Sequence, residues 1–81
     1  VGLVVYPWEV ALGHDVPEDS AMNHLRGVIT SIVPVGNRVR VRVGDIVAEI
    51  STVSLDRLGL REGVVVVASF KATAARLVPL A

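Results

Sequence analysis

The sequence predicts an all-β barrel or sandwich with one short helix, and three observations carry that expectation. Short runs of β-branched residues recur at roughly 8–12-residue intervals, separated by glycine-, proline- or asparagine-containing turns. One of them, Arg38–Val43 (RVRVRV), alternates strictly, which in an extended chain sends arginines to one face and valines to the other. The last run, Val64–Val78 (VVVVASFKATAARLV), opens on four consecutive valines, whose branched side chains pack well on a pleated surface.

The elements follow in order. Val1–Leu12 (VGLVVYPWEVAL) begins as a short apolar strand, breaks at Pro7 and resumes as a brief second strand. His14–Asp19 (HDVPED) is polar, acidic and proline-containing, and reads as a loop. Leu25–Val33 (LRGVITSIV) is a strand in which Gly27 marks a bulge or bend. Pro34-Val35-Gly36-Asn37 forms a turn, Gly44-Asp45 a second one, and Ile46–Ile50 returns as the partner of Arg38–Val43. Ser51–Leu58 is the one helix: Ser51, Thr52 and Ser54 offer capping oxygens, Leu55 and Leu58 are apolar at i, i+3, and Gly59 stops it. Leu60–Gly63 then turns into the long apolar run. There Lys71 stands between Phe70 and Ala72, and in an extended chain Ser69, Lys71 and Thr73 form one polar strip.

Composition narrows the function classes. At 81 residues the chain supports one modest core, and 52% hydrophobic content with a mean hydropathy of +0.60 implies apolar surface covered by a second subunit or by more of a longer protein. The start at Val1 without a methionine points the same way. No window approaches the roughly 18 uninterrupted apolar residues of a membrane-spanning helix, and the apolar opening lacks the basic stretch of a signal peptide. Eight basic and eight acidic residues cancel, which speaks against general nucleic-acid binding. The absence of cysteine excludes disulfides, thiolate metal sites and cysteine nucleophiles, and fits a cytosolic setting.

Five short motifs keep their order and spacing over residues 20–78: Ser20-Ala21-Met22-Asn23, Leu25-Arg26-Gly27, Ala48-Glu49-Ile50-Ser51-x-x-Ser54, Leu58-Gly59-Leu60-x-Glu62-Gly63 and Phe70-Lys71-Ala72-Thr73. Together they resemble the molybdate-binding Mop/TOBE family. The resemblance implies an OB-like five-stranded Greek-key barrel with one short helix. It also implies two strands hinged at Lys71-Ala72-Thr73, with the lysine at the hinge. The family occurs as free molybdenum-storage proteins, in molybdate-responsive regulators, and at the C-terminus of ATPase subunits of molybdate and tungstate ABC importers. Tyr6-Pro7-Trp8-Glu9-Val10-x-Leu12 is similar to the Arg-Pro-Glu-Asp-Val-x-Leu segment leading into the TOBE region of such ATPases, with Tyr6 and Trp8 as departures. On this resemblance, residues 1–19 are a strand segment and linker from an ATPase-type region, and residues 20–81 are a regulatory oxyanion-binding domain. The expected setting is cytoplasmic, membrane-associated only through permease subunits, without direct membrane insertion. No phosphate-loop glycine-lysine motif is present, so the chain itself is not expected to be an enzyme.

Molybdate and tungstate are tetrahedral dianions that accept hydrogen bonds on every oxygen, so a site for them needs converging donors and a cation. The resemblance implies oxyanion contacts from Ser20, Ser51, Ser54, Lys71 and Thr73, with Asn23 as a further donor, in a pocket formed between two subunits of a homodimer. No metal-ion or organic cofactor is expected. One departure stands out: Met22 replaces the usual arginine of the first motif. A lost charge-assisted hydrogen bond costs roughly 1.5–3 kcal/mol, about ten- to hundredfold in affinity. Arg26 or His24 is positioned to compensate, since 22, 24 and 26 share one strand face.

Plainer readings accompany each feature. Lys71 also suits a solvated strand end, and Ser51, Thr52 and Ser54 would cap a helix in any protein. Arg38, Arg40 and Arg42 read as a solvated or guarded strand face, with Asp45 and Glu49 near enough to pair. His14 and His24 lack a third ligand for a metal. Tyr6, Trp8 and Phe70 read as core or interface. The alternatives to oxyanion sensing are a structural OB-like dimerisation module with an empty pocket, favoured by Met22, and a nucleic-acid-binding OB domain, favoured only by the arginine stripe.

Overall fold

The computed structural model describes residues 2–16, 22–71 and 76–78. Its elements are β1 (Gly2–Val4), a 3₁₀ turn (Pro7–Glu9), β2 (Ala11–Gly13), β3 (Met22–Val35), β4 (Arg38–Val43), β5 (Ile46–Ser51), α1 (Thr52–Leu58), β6 (Val65–Lys71) and β7 (Arg76–Val78). An antiparallel sheet runs in the order β2-β6-β3-β4-β5, and β1 pairs with β7 in a separate ribbon.

Strand β3 joins the two halves of the sheet. Met22–Val28 pairs with β6, and Ile29–Val35 pairs with β4. The ladder to β4 shifts between Ile29 and Ser31, leaving Thr30 as the extra residue of a bulge. The bulge therefore falls three residues beyond Gly27, where the sequence placed it. Gly27 stays in register with Val66, and its missing side chain answers a different need. A Cβ there would lie 2.9 Å from Cγ1 of the buried Val43, so β3 passes β4 too closely for any side chain.

The expected barrel is not closed. The strand order is OB-like, but the edge strands β2 and β5 share no ladder. β2 is only three residues long, and β5 packs against the 3₁₀ turn. Val10, between that turn and β2, and Leu60, just past α1, are both 4% exposed and belong to the core. Apolar side chains from the connections thus complete the core where a barrel would use one more row of backbone hydrogen bonds.

The alternation read in Arg38–Val43 is realised: the arginines are exposed and the valines are at most 3% exposed. Ile46, Ala48 and Ile50 face them from β5, and Ile29, Val66, Ala68 and Phe70 complete the cluster. Each fully buried side chain of this size contributes about 1.5–3 kcal/mol relative to leaving it in water. Two-residue hairpins join β3 to β4 and β4 to β5, with Gly36 at φ 62° and Gly44 at φ 59°. A positive φ at the first loop residue lets the turn follow the twist of its strands, and glycine adopts it without strain.

Helix α1 begins on Ser51, whose Oγ accepts the Ser54 N–H at 3.1 Å. It ends with Gly59 N–H donating to Asp56 O and Leu60 N–H donating to Leu55 O, each at 3.1 Å, a Schellman closure that turns Leu60 into the core. Phe70 is a core residue as expected, whereas Tyr6 and Trp8 are exposed and stack on each other at 4.8 Å.

Gly27→Ala is expected to destabilise the fold by about 1–3 kcal/mol, because Val43 is buried and stiff at χ1. Urea unfolding measures this, and combining it with Val43→Ala should cost less than the two changes added together. Strict additivity would remove close approach as the reason for Gly27.

Candidate functional site

The described residues that bear on the oxyanion expectation fall into two groups. Ser20 and Thr73 lie outside the described residues.

The first group closes β5. Ser51 is its last residue and the cap of α1. Besides accepting the Ser54 N–H, the Ser51 hydroxyl donates to Ser54 Oγ at 3.0 Å. The Ser54 O–H is then the hydroxyl of the pair left to donate outward. Both residues are half-buried, and Thr52 is exposed. The capping expectation and the donor expectation therefore fall on different hydroxyls of one pair.

The second group lies where β3 begins and β6 ends. Lys71 is the last residue of β6, exposed, and directly opposite Met22. No carboxylate pairs with it among the described residues. The lysine thus stands at a strand end; Ala72 and Thr73, the rest of the expected hinge, lie outside the described residues. Asn23 pairs with Phe70, so its side chain lies on the face opposite Met22 and Lys71. It shares their end of the sheet but not their side.

The register places Met22, His24 and Arg26 on one face, across from Lys71, Ser69 and Val67. His24 Nδ1 lies 2.8 Å from Ser69 Oγ, while its Nε2 is buried without a partner. Ser69 is 4% exposed, so the expected strip of Ser69, Lys71 and Thr73 is not one wet face. Arg26 is exposed and sits four residues from Met22, about 13 Å along an extended strand. The sequence reading missed the pairing of His24 with Ser69. Its only trace in the chain is a polar residue within each of two apolar strands, and nothing local aligns them.

The two groups attach to opposite ends of β3. Met22, opposite Lys71, begins that strand, while Val35, at its other end, pairs with Arg38, which in turn pairs with Ser51. One chain brings Ser51 to Ser54 and Met22 to Lys71, and it separates the two pairs along fourteen residues of strand.

The remaining candidates are structural. His14 Nε2 donates to the Leu58 carbonyl at 2.7 Å, closing the last turn of α1. Among the described residues no group of three or more His, Cys, Asp or Glu is placed to hold a metal ion. Glu49 pairs with Arg40 at 3.3 Å and with Arg38 at 4.0 Å, as the charge pattern led us to expect, and Asp45 has no ion pair among the described residues.

Comparison with known proteins agrees with this architecture. A crystal structure of the cytoplasmic molybdate-binding protein ModG with molybdate bound superposes with a TM-score of 0.79 and 25% sequence identity. The match covers 91% of this chain and 57% of that one, so the chain spans little more than half the length of ModG. No curated protein matches. The family model of the TOBE domain matches residues 19–77, most of the chain. The chain belongs to the TOBE domain family.

Proposed function

We propose that this domain binds molybdate or tungstate at a site completed by a second copy, and that it serves as the regulatory C-terminal domain of an ABC importer's ATPase subunit. The observation that carries the reading is the family match over residues 19–77 together with the likeness to a molybdate-bound protein. The separation of Ser51 and Ser54 from Lys71 supports the second copy, since donors at opposite ends of β3 converge most simply between two chains. In this reading Ser54, Ser20, Asn23 and Thr73 supply donors, Ser51 holds the Ser54 hydroxyl in place, Lys71 supplies charge, and Arg26 makes up for Met22. Residues 1–19 lead in from the ATPase region and residues 20–81 form the binding domain. The setting is the cytoplasm, as for ModG, with membrane permease subunits as partners of the parent protein.

The chemistry is recognition alone. A tetrahedral dianion gains from hydrogen bonds to its charged oxygens, each worth about 1.5–3 kcal/mol to a charged group. An exposed ammonium with no carboxylate partner among the described residues gives up little to meet the anion. A second reading has one specific observation in its favour. Met22 places a thioether beside Lys71, where the family arginine would stand, and a domain so altered would dimerise without an oxyanion.

Isothermal titration with molybdate, tungstate and sulfate, with light scattering in parallel, separates the two. We expect saturable heat with molybdate and tungstate, linked to the dimer. A dimer that gives no heat with any of the three removes oxyanion binding and leaves the structural module. Lys71→Met should weaken binding roughly ten- to hundredfold. Its unfolding midpoint should stay unchanged, because the side chain is exposed and makes no ion pair among the described residues. Ser51→Ala should lower stability by about 1 kcal/mol through loss of the cap, and affinity along with it. If Arg26→Ala leaves affinity untouched, Arg26 is not the compensating cation.

A further inference from the structure

The outer face of β3, β4 and β5 carries a groove of about 380 Å³ lined by Ser31, Val33, Val35, Arg40, Arg42 and Val47. The ladders set its layout in rows across the strands. Ser31, Arg42 and Val47 form one row, and Val33, Arg40 and Glu49 the next. Glu49 pairs with both Arg40 and Arg38, so one carboxylate answers two of the three guanidiniums. Arg42 has only a serine and a valine as row neighbours, and no ion pair engages it among the described residues. Beside it Val33 and Val35 are 52% and 44% exposed, although valines at sheet positions are ordinarily covered.

We propose that this groove binds a small amphipathic carboxylate, its head held by Arg42 and the Ser31 hydroxyl, its apolar body laid along Val33 and Val35, with Val47 flanking the head on the other side of Arg42. A guanidinium presents parallel N–H donors that match a carboxylate in a bidentate pair, and the serine beside it adds a third donor. The valines offer the body a surface it prefers to water. The volume falls within the range of small-ligand pockets, roughly 300–1,000 Å³.

Charge discriminates among occupants. Among the described residues three guanidiniums against one carboxylate leave this face positive, so two copies meeting through it would repel. A single unpaired cation suits one head group better than the repeated charges of nucleic acid or an acidic chain. Addition of a strand at the neighbouring stretch of β3 would meet Pro34, which has no N–H to offer. The groove is separate from Lys71 and Met22, and the inference does not rest on oxyanion binding.

Amide NMR titration of the whole chain with sodium octanoate tests it, with sodium acetate and 1-octanol as probes of each half of the ligand. We expect saturable shifts centred on Ser31, Val33, Val35, Arg42 and Val47, with octanoate tighter than either half. Arg42→Gln should weaken octanoate about tenfold or more, leaving the octanol response and the unfolding midpoint unchanged. Absence of saturable shifts, shifts centred elsewhere, or equal octanoate affinity in Arg42→Gln overturns the proposal. So does tighter binding of an Asp- and Val-containing peptide than of octanoate, which would make the groove a protein contact.

Discussion

The double use of β3 is the constraint on which the other elements depend. One strand of fourteen residues pairs with β6 through its first half and with β4 through its second. Both ladders must be satisfied at once, because unpaired backbone groups in a buried sheet cost as much as lost hydrogen bonds. A slip of one residue against β4 would turn its inward valines out to solvent. Two local features permit the handover. Gly27 lets the backbone pass Val43, and the extra residue at Thr30 changes partner without losing the core register.

That arrangement also dictates what one chain can do with its candidate ligands. Ser51 inherits its place from β5, which inherits its own from β4 and the far half of β3. Lys71 inherits its place from β6 and the near half. Their separation along β3 is therefore a property of strand order, not of side-chain choice. In the proposed function a site that uses both is completed by a second copy, which links the proposed ligand to the oligomer.

Charge on the sheet surface is distributed unevenly. Glu49 engages Arg38 and Arg40 in a partly exposed cluster, where such pairs are worth little individually. It leaves Arg42, beside exposed valines, without an ion pair among the described residues. At the other end of the sheet Lys71 likewise has no ion pair among the described residues, but it stands next to a methionine and in a different chemical setting.

Local pattern was enough for most of the elements. The period-two run of Arg38–Val43, the glycine hairpins, and the serine cap and glycine stop of the helix each rest on neighbours within a few residues, and all are realised. Family membership was also legible, because its motifs sit in those same short stretches. What only the tertiary structure decided are the relations between distant segments. The sheet stays open because a three-residue β2 and a turn packed on β5 leave no ladder between the edges. Gly27 is needed for Val43, sixteen positions away, and Ser69 is buried by its pairing with His24, 45 residues apart in the chain. Closure, close approach and burial depend on which strands become neighbours, and no local spacing in the chain encodes that.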